Sequence, residues 1–286
     1  MQEYEKRGYL LENFRLFHLR SQGASKVAFH YHEFCKLLLL VSGQGSYYID
    51  GQHYLLHPGD IVTVGSHSIH KPEMENTTAY ERIILYVSPV YLQQISTPDC
   101  DLLSLFSGEA GHVLRPQEKA RKHLFALAAA LEQDLDKEGF GRELLCSAGL
   151  TRLLVELGRC RNQLSDTQPN PLMPQSKRNY DIMRYLDQHL AEEISMDQLA
   201  DLFFISKYHM MRSFREETGA SIYQYLTLKR LLRAREQMDS GVSATEACYS
   251  CGFHSYSSFT RAYGKHYGTT PTGRSDSKHI REEGFE

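Results

Sequence analysis

The chain has 286 residues, 41% of them hydrophobic, which gives room for two domains with real cores. Its net charge of −3 excludes a polycation that holds nucleic acid through bulk charge; residues 176–286 alone carry fifteen Lys/Arg and fifteen Asp/Glu, so any DNA affinity must come from a locally positive face. No apolar run reaches bilayer-spanning length, and the opening Met-Gln-Glu-Tyr-Glu-Lys lacks a basic-then-apolar leader, so a cytoplasmic protein with no membrane partner is expected.

Residues 26–90 read as consecutive strands. Leu37–Val41 is a continuous apolar strand ending at Ser42-Gly43. Residues 46–49 and 53–56 flank Asp50-Gly51, a strong hairpin signal. His57-Pro58-Gly59-Asp60 is a second turn, followed by strands at Ile61–Val64 and Tyr80–Val87. Short strands with turns every eight to twelve residues indicate a barrel or jelly roll.

The period changes over residues 116–161. Leu124, Leu127 and Leu131, then Leu144, Leu145, Leu150, Leu153, Leu154 and Leu157, recur at three- and four-residue steps, with Gly139 and Gly141 between the runs. This predicts an antiparallel helix pair that either covers the barrel or forms a dimerisation stripe. Residues 162–176 hold three prolines and little that could pack, and read as a linker. Residues 177–274 read as helical throughout, and 275–286 as a polar tail.

Within the helical third one pattern occurs twice, about 48 residues apart: Ser195-Met-Asp-Gln198-Leu-Ala200 through Ser206, and Ser243-Ala-Thr-Glu246-Ala-Cys248 through His254. Each opens as a capping-box helix start, places a small residue (Ala200, Cys248) where two helices would cross, and leads after a short break into a second helix carrying an arginine, Arg212 or Arg261. Two helices joined by a tight turn, the second exposing polar residues, can enter the DNA major groove. The six cysteines are scattered apart from Cys248-x-x-Cys251, which reads as two buried apolar positions one turn apart. No Ser-His-Asp signature, phosphate-cradling glycine loop or paired-carboxylate motif supports an enzyme.

Three features, in order, resemble the DNA-binding domain of the AraC/XylS family of transcription regulators: Ser206-Lys-Tyr-His-Met-Met-Arg-Ser-Phe-Arg-Glu-Glu-Thr-Gly219, Cys251-Gly-Phe253, and Tyr267-Gly-Thr-Thr-Pro271. The resemblance covers about 98 residues and implies seven helices forming two helix-turn-helix units bridged by a long helix, here Ile222–Ser240 with Lys229, Arg230, Arg233 and Arg235. It departs at Gly273-Arg274, where an aromatic-Arg pair is usual. Carried over by position, the first reading helix would present Tyr208, His209, Met211 and Arg212 to DNA, with Met210 and Phe214 inward. The second would present Ser255, Tyr256, Ser257, Thr260 and Arg261, with Phe259 and Tyr263 inward. Arg215, Lys265 and the bridge-helix cations would touch phosphate or acidic neighbours.

The N-terminal part is similar to the cupin-type sensor of the same family, through His30-Tyr-His32, Gly43-Gln-Gly45, Pro58-Gly59-Asp60, His70-Lys-Pro72 and Tyr80–Pro89. Metal-binding cupins use histidines at i and i+2, a carboxylate, and a third histidine. His30, His32 and His70 fit, but Lys36 stands where the carboxylate would, so the reading is no metal and no cofactor. His30, His32, Lys36 and His70 would instead line a pocket for a small polar or anionic effector such as a sugar, the other reading of the histidines being purely structural. The overall expectation is α+β: a cupin-like barrel or jelly roll with a helical pair (1–161), a linker, and an all-α double helix-turn-helix domain (177–274). The resemblance implies an effector-controlled regulator, more often an activator, working as a homodimer with double-stranded DNA and RNA polymerase. The alternative is a metal-dependent cupin enzyme fused to a DNA-binding module.

Overall fold

The computed structural model describes residues 5–22, 27–74, 79–108, 111–163 and 177–273. These fall into two compact units, residues 5–163 and residues 177–273. The expected linker, apart from its first two residues, and the expected tail at 275–286 lie outside the described residues.

The first unit is a two-layer sandwich. Its strands are β1 (Glu5–Lys6), β2 (Phe14–Ser21), β3 (His30–Tyr31), β4 (Cys35–Ser42), β5 (Gly45–Ile49), β6 (Gln52–Leu56), β7 (Ile61–Val64), β8 (His70–Met74), β9 (Tyr80–Val87) and β10 (Val113–Leu114). One sheet runs β1-β3-β8-β5-β6 and the other β10-β7-β4-β9-β2, a jelly-roll-like arrangement. The expected hairpin forms at Asp50-Gly51, both at positive φ, with Ile49 paired to Gln52. β2 lies outside the expected run of strands, and β8 lies inside it but was not delimited. β8 contains Pro72, which lies past the single β3–β8 pairing at His30–His70, so its missing N–H disrupts no ladder on that side.

β4 is apolar without alternation because both its faces are buried. Leu38 and Leu40 pack inside the sandwich with Tyr47, Ile49, Tyr54, Leu56 and Met74. Cys35, Leu37 and Leu39 face outward and are covered by helices. Those helices are α1 (Pro89–Ile95), a short 3-10 turn (Leu103–Phe106), α2 (Glu118–Leu135) and α3 (Arg142–Gln163). Leu124 and Leu131 of α2 and Leu150, Leu153, Leu154 and Leu157 of α3 are buried in this outer core. Most of the leucine stripe therefore covers the sheet; Phe140, Leu144 and Leu145, around the start of α3, stay exposed.

The second unit comprises α4 (Lys177–Gln188), α5 (Met196–Leu202), α6 (Lys207–Thr218), α7 (Ile222–Asp239), α8 (Ala244–Ser250) and α9 (Tyr256–Tyr267). Ser195 and Ser243 cap α5 and α8, accepting from the N–H groups of Asp197 and Glu246, but the full capping boxes expected there with Gln198 and Glu246 are not among the bonds of the described residues. A reciprocal capping box forms at Ser221 and Gln224, where α7 begins. α7 bridges the two helix pairs, packing on α4 and α6 at one end and on α8 and α9 at the other. Cys248 and Cys251 are buried with Leu231, Ala234, Phe259 and Tyr263, and burial raises both thiol pKa values. Among the described residues, no helix is long and apolar enough to cross a membrane.

Candidate nucleic-acid interface and sensor interior

α6 and α9 are built on one frame. Each is capped by a serine, Ser206 or Ser255, and ends on a left-handed glycine, Gly219 or Gly268. Counted from the cap, the fourth residue is buried in both (Met210, Phe259), as is the eighth (Phe214, Tyr263). The sixth is an exposed arginine in both, Arg212 and Arg261. The connecting turns differ: four residues, 203–206, in the first pair and five, 251–255, in the second.

Of the first reading set, Tyr208, His209, Met211 and Arg212 are all exposed. Arg212 Nε donates to Glu216 Oε1 at 2.9 Å, an exposed pair one turn apart that holds the guanidinium along the helix. Of the second set, Ser257 and Arg261 are exposed, and Ser255, Tyr256 and Thr260 are half-buried. Ser255 Oγ accepts from the Ser258 N–H as cap, Thr260 Oγ1 donates to the Tyr256 carbonyl at 2.9 Å, and the Tyr256 ring lies 5.9 Å from that of Phe259. These three side chains take part in holding α9 together, a use that spacing alone does not distinguish from groove contact. Ser258 is exposed although it fell outside the expected set.

The bridge-helix cations are largely spoken for. Lys229 pairs with Asp187 at 3.3 Å and Arg235 with Asp239 at 3.0 Å, and Arg235 also donates to the Tyr263 hydroxyl. Arg230 donates to the carbonyls of Leu190 at 2.7 Å and Glu192 at 2.6 Å. Arg233, Arg215 and Lys265 are exposed.

In the first unit, β3 and β8 bring His30, His32 and His70 together. Their ring centroids are 4.3–5.0 Å apart and all three are buried. Among the described residues they are the one set of three His, Cys or carboxylate ligand atoms within 4.8 Å of one another. Each Nδ1 faces a main-chain carbonyl: His30 that of Ala28 at 2.8 Å, His70 that of Ser68 at 2.9 Å, and His32 that of Arg7. His32 Nε2 and His70 Nε2 are 3.2 Å apart. Lys36 is also buried, on the interior face of β4 shared with Leu38 and Leu40. Burial holds the His32 and His70 pKa values well below the usual imidazole value, with the Lys36 charge adding to the effect. Phe34 stacks on His32 at 4.5 Å, and Tyr47 lies parallel to His70 at 6.0 Å. The four residues expected to line one pocket are thus buried in one aromatic-walled interior. The N-terminal segment, whose Arg7 carbonyl meets His32, carried no sequence signal for that role.

Two family models match the chain, an AraC-like ligand-binding domain over residues 13–154 and a helix-turn-helix domain over residues 199–273. The chain is similar to the HTH-type transcriptional activator RhaS of Enterobacter sp. (strain 638), with 26% identity over 243 residues, 85% of each chain. It is equally similar to RhaS of Escherichia coli (strain K12 / DH10B), again 26% over 243 residues and 85% of each. Among solved structures it is similar to ToxT from Vibrio cholerae, at 12% identity, 91% of this chain, 97% of that chain and TM-score 0.37. It is also similar to the AraC-like transcriptional activator CuxR, at 14%, 85%, 83% and 0.41. A ligand-binding sandwich and two helix-turn-helix units on one polypeptide make a DNA-binding regulator rather than an enzyme, and the chain belongs to the AraC family of transcription regulators.

Proposed function

We propose that this protein is a cytoplasmic, sequence-specific transcription activator whose DNA contacts come from two reading helices in tandem. Tyr208, His209, Met211 and Arg212 read one major-groove segment; Ser255, Tyr256, Ser257, Thr260 and Arg261 read the next. The observation that carries this is the shared frame of α6 and α9: matched buried positions beneath, and a matched exposed arginine at the sixth position of each. An arginine can contact guanine O6 and N7 with two parallel hydrogen bonds. Ser255 and Thr260, whose hydroxyls also bond within α9, act by positioning the helix or through their remaining lone pairs.

Residues 1–161 form the sensor, 162–176 the linker and 177–274 the DNA-binding domain in this reading. A small polar or anionic effector, a sugar being the class the family resemblance favours, is held by His30, His32, Lys36 and His70. The protein acts as a homodimer through the sensor; the exposed apolar cluster of Phe140, Leu144 and Leu145 is available for pairing. Effector binding alters how two DNA-binding domains occupy paired half-sites and so how RNA polymerase is recruited.

Gel-shift titration with the DNA upstream of the protein's own gene tests the core of this reading, alongside a thermal-shift screen of sugars and organic acids. A sequence-dependent shift that survives deletion of residues 1–170 is expected. Equal affinity for unrelated DNA of the same length defeats the reading.

A further inference from the structure

A cleft runs along the last turns of α3, and none of the residues lining it belongs to the histidine interior. One wall is the helix from Leu154 to Asn162, and the other is the loop and 3-10 turn from Asp99 to Ser107. Its volume is about 660 Å³, within the range of small-molecule clefts. Leu102, Leu105 and Leu154, all buried, give it an apolar base.

Charge is divided between the two walls. Asp99 and Asp101 stand exposed on the loop side. Asp99 Oδ1 accepts from Thr97 Oγ1 at 2.7 Å, which holds its carboxyl below the usual carboxylate pKa. Asp101 Oδ1 accepts from the N–H groups of Leu103 at 3.0 Å and Ser104 at 3.4 Å. These bonds use one oxygen of each carboxylate.

On the helix side, Arg159 is paired with Glu156 at 2.8 Å, whereas Arg161 has no carboxylate partner among the described residues. Arg161 Nη1 donates to the Leu105 carbonyl at 2.7 Å, and Nη2 donates to Thr63 Oγ1 at 3.0 Å and the Gly111 carbonyl at 3.3 Å. Its Nε is buried without a hydrogen-bond partner. Neutral acceptors thus fix the guanidinium in place without neutralising it, and burial pushes its pKa below the usual guanidinium value. A tie between α3 and the 3-10 turn needs only a neutral donor. Placing a full charge there costs desolvation that an anion would offset. The acids face that cation from the opposite wall, so a ligand answering both carries its charges at two ends of an apolar body, not on one carbon.

We propose that this cleft binds a small zwitterion of dipeptide size with apolar side chains, its carboxylate on Arg161 and its ammonium on Asp99 and Asp101. The site is distinct from the effector site proposed above and does not depend on that reading. It lies on the end of α3, directly ahead in sequence of the segment that joins the two units.

The test uses the full, reduced chain and calorimetric titration with leucyl-leucine, N-acetyl-leucyl-leucine, which lacks the ammonium, and leucyl-leucine amide, which lacks the carboxylate. The expected result is one leucyl-leucine per chain, with each blocked form binding about tenfold more weakly for loss of one charge-assisted contact. Arg161→Gln should lower leucyl-leucine to the affinity of the amide. Asp99→Asn with Asp101→Asn should lower it to that of the acetylated form, while keeping the oxygens that the turn uses. Cys100 lines the cleft and alone among the six cysteines is not buried, so bound leucyl-leucine should slow its reaction with a thiol reagent. Should Arg161→Gln fail to fold, the paired aspartate variant and Cys100 protection decide the matter. No saturable leucyl-leucine binding in the millimolar range, equal affinity for the three compounds, or undiminished labelling of Cys100 overturns the proposal.

Discussion

The carbonyl oxygen of Leu190 lies 2.4 Å from the point that a methyl group on Gly252 would occupy. Gly252 sits at φ 86° in the turn before the second reading helix, and Leu190 follows α4, at the opposite end of the helical unit in sequence. Arg230 of α7 donates to the carbonyls of Leu190 and Glu192 from the same region. The turn of one helix-turn-helix pair is thus packed against the segment that leads into the other. Gly252→Ala must both adopt a left-handed conformation and push main chain aside, because a backbone oxygen cannot rotate away as a side chain would. We expect it to destabilise the helical unit by about 2–4 kcal/mol, read by urea denaturation of the full chain. An unchanged midpoint for the helical transition would show that this junction yields freely.

Arg212→Ala and Arg261→Ala should each lose roughly 1–3 kcal/mol of discrimination at different base pairs of the operator, as the loss of a two-pronged guanine contact predicts. Quantitative footprinting over single-base operator variants measures this. Glu216→Ala supplies a control from the geometry. It releases Arg212 from its 2.9 Å partner, so affinity should rise modestly with the same base preference. If both arginine variants retain the wild-type preference, the reading faces are assigned wrongly.

How much of this was legible beforehand depends on what each residue's period reports. The inward positions Met210, Phe214, Phe259 and Tyr263, which the family resemblance implies, are all buried, and their four-residue spacing is that of one helix face. The polar positions between them carry no such constraint. Thr260 and Ser255 look like groove contacts in sequence, yet their hydroxyls bond within α9, because short side chains can turn back on their own helix. In the sandwich, the Asp50-Gly51 hairpin and the strands around it were plain from turn chemistry. β8 was hidden by Pro72, and β2, Phe14–Ser21, by a pattern that alternates only loosely. The convergence of His32 and His70 depends on a pairing across 38 residues that no local period encodes.

Asp60 is buried at 1% exposure, and Arg115 donates to it twice, both bonds at 2.7 Å, while the His57 N–H donates at 2.8 Å. This closes the turn before β7 onto the segment after β10. Arg115→Met leaves a buried carboxylate without its guanidinium and should cost about 2–4 kcal/mol, reduced from the fully buried case because Arg115 itself is 42% exposed. Adding Asp60→Asn should recover part of the loss, since the neutral amide needs no counter-charge. A thermal-melt double-mutant cycle on the sensor measures the coupling; strict additivity would mean the pair contributes nothing beyond its separate contacts.

The balance of charge in the helical unit makes salt dependence a sharper probe than affinity. With fifteen basic and fifteen acidic residues between 176 and 286, bulk attraction is absent, so each phosphate contact must come from an individual exposed cation. Lys229, Arg230 and Arg235 are half-buried and tied to aspartates or main-chain carbonyls; the exposed cations of the reading and bridge helices are Lys207, whose exposed partner is Asp197, Arg212, whose exposed partner is Glu216, Arg215, Arg233, Arg261 and Lys265. If about four of these meet phosphate, the slope of log affinity against log salt is roughly −3.6, a loss on the order of 10² between about 50 and 200 mM salt. Arg215→Ala should reduce that slope by about one while leaving base preference intact, whereas Arg261→Ala should change the preference. Arg230→Ala should do neither, and should instead lower the melting temperature of the helical unit by freeing the Leu190 and Glu192 carbonyls. A slope near zero for the wild type would mean that these cations do not face DNA.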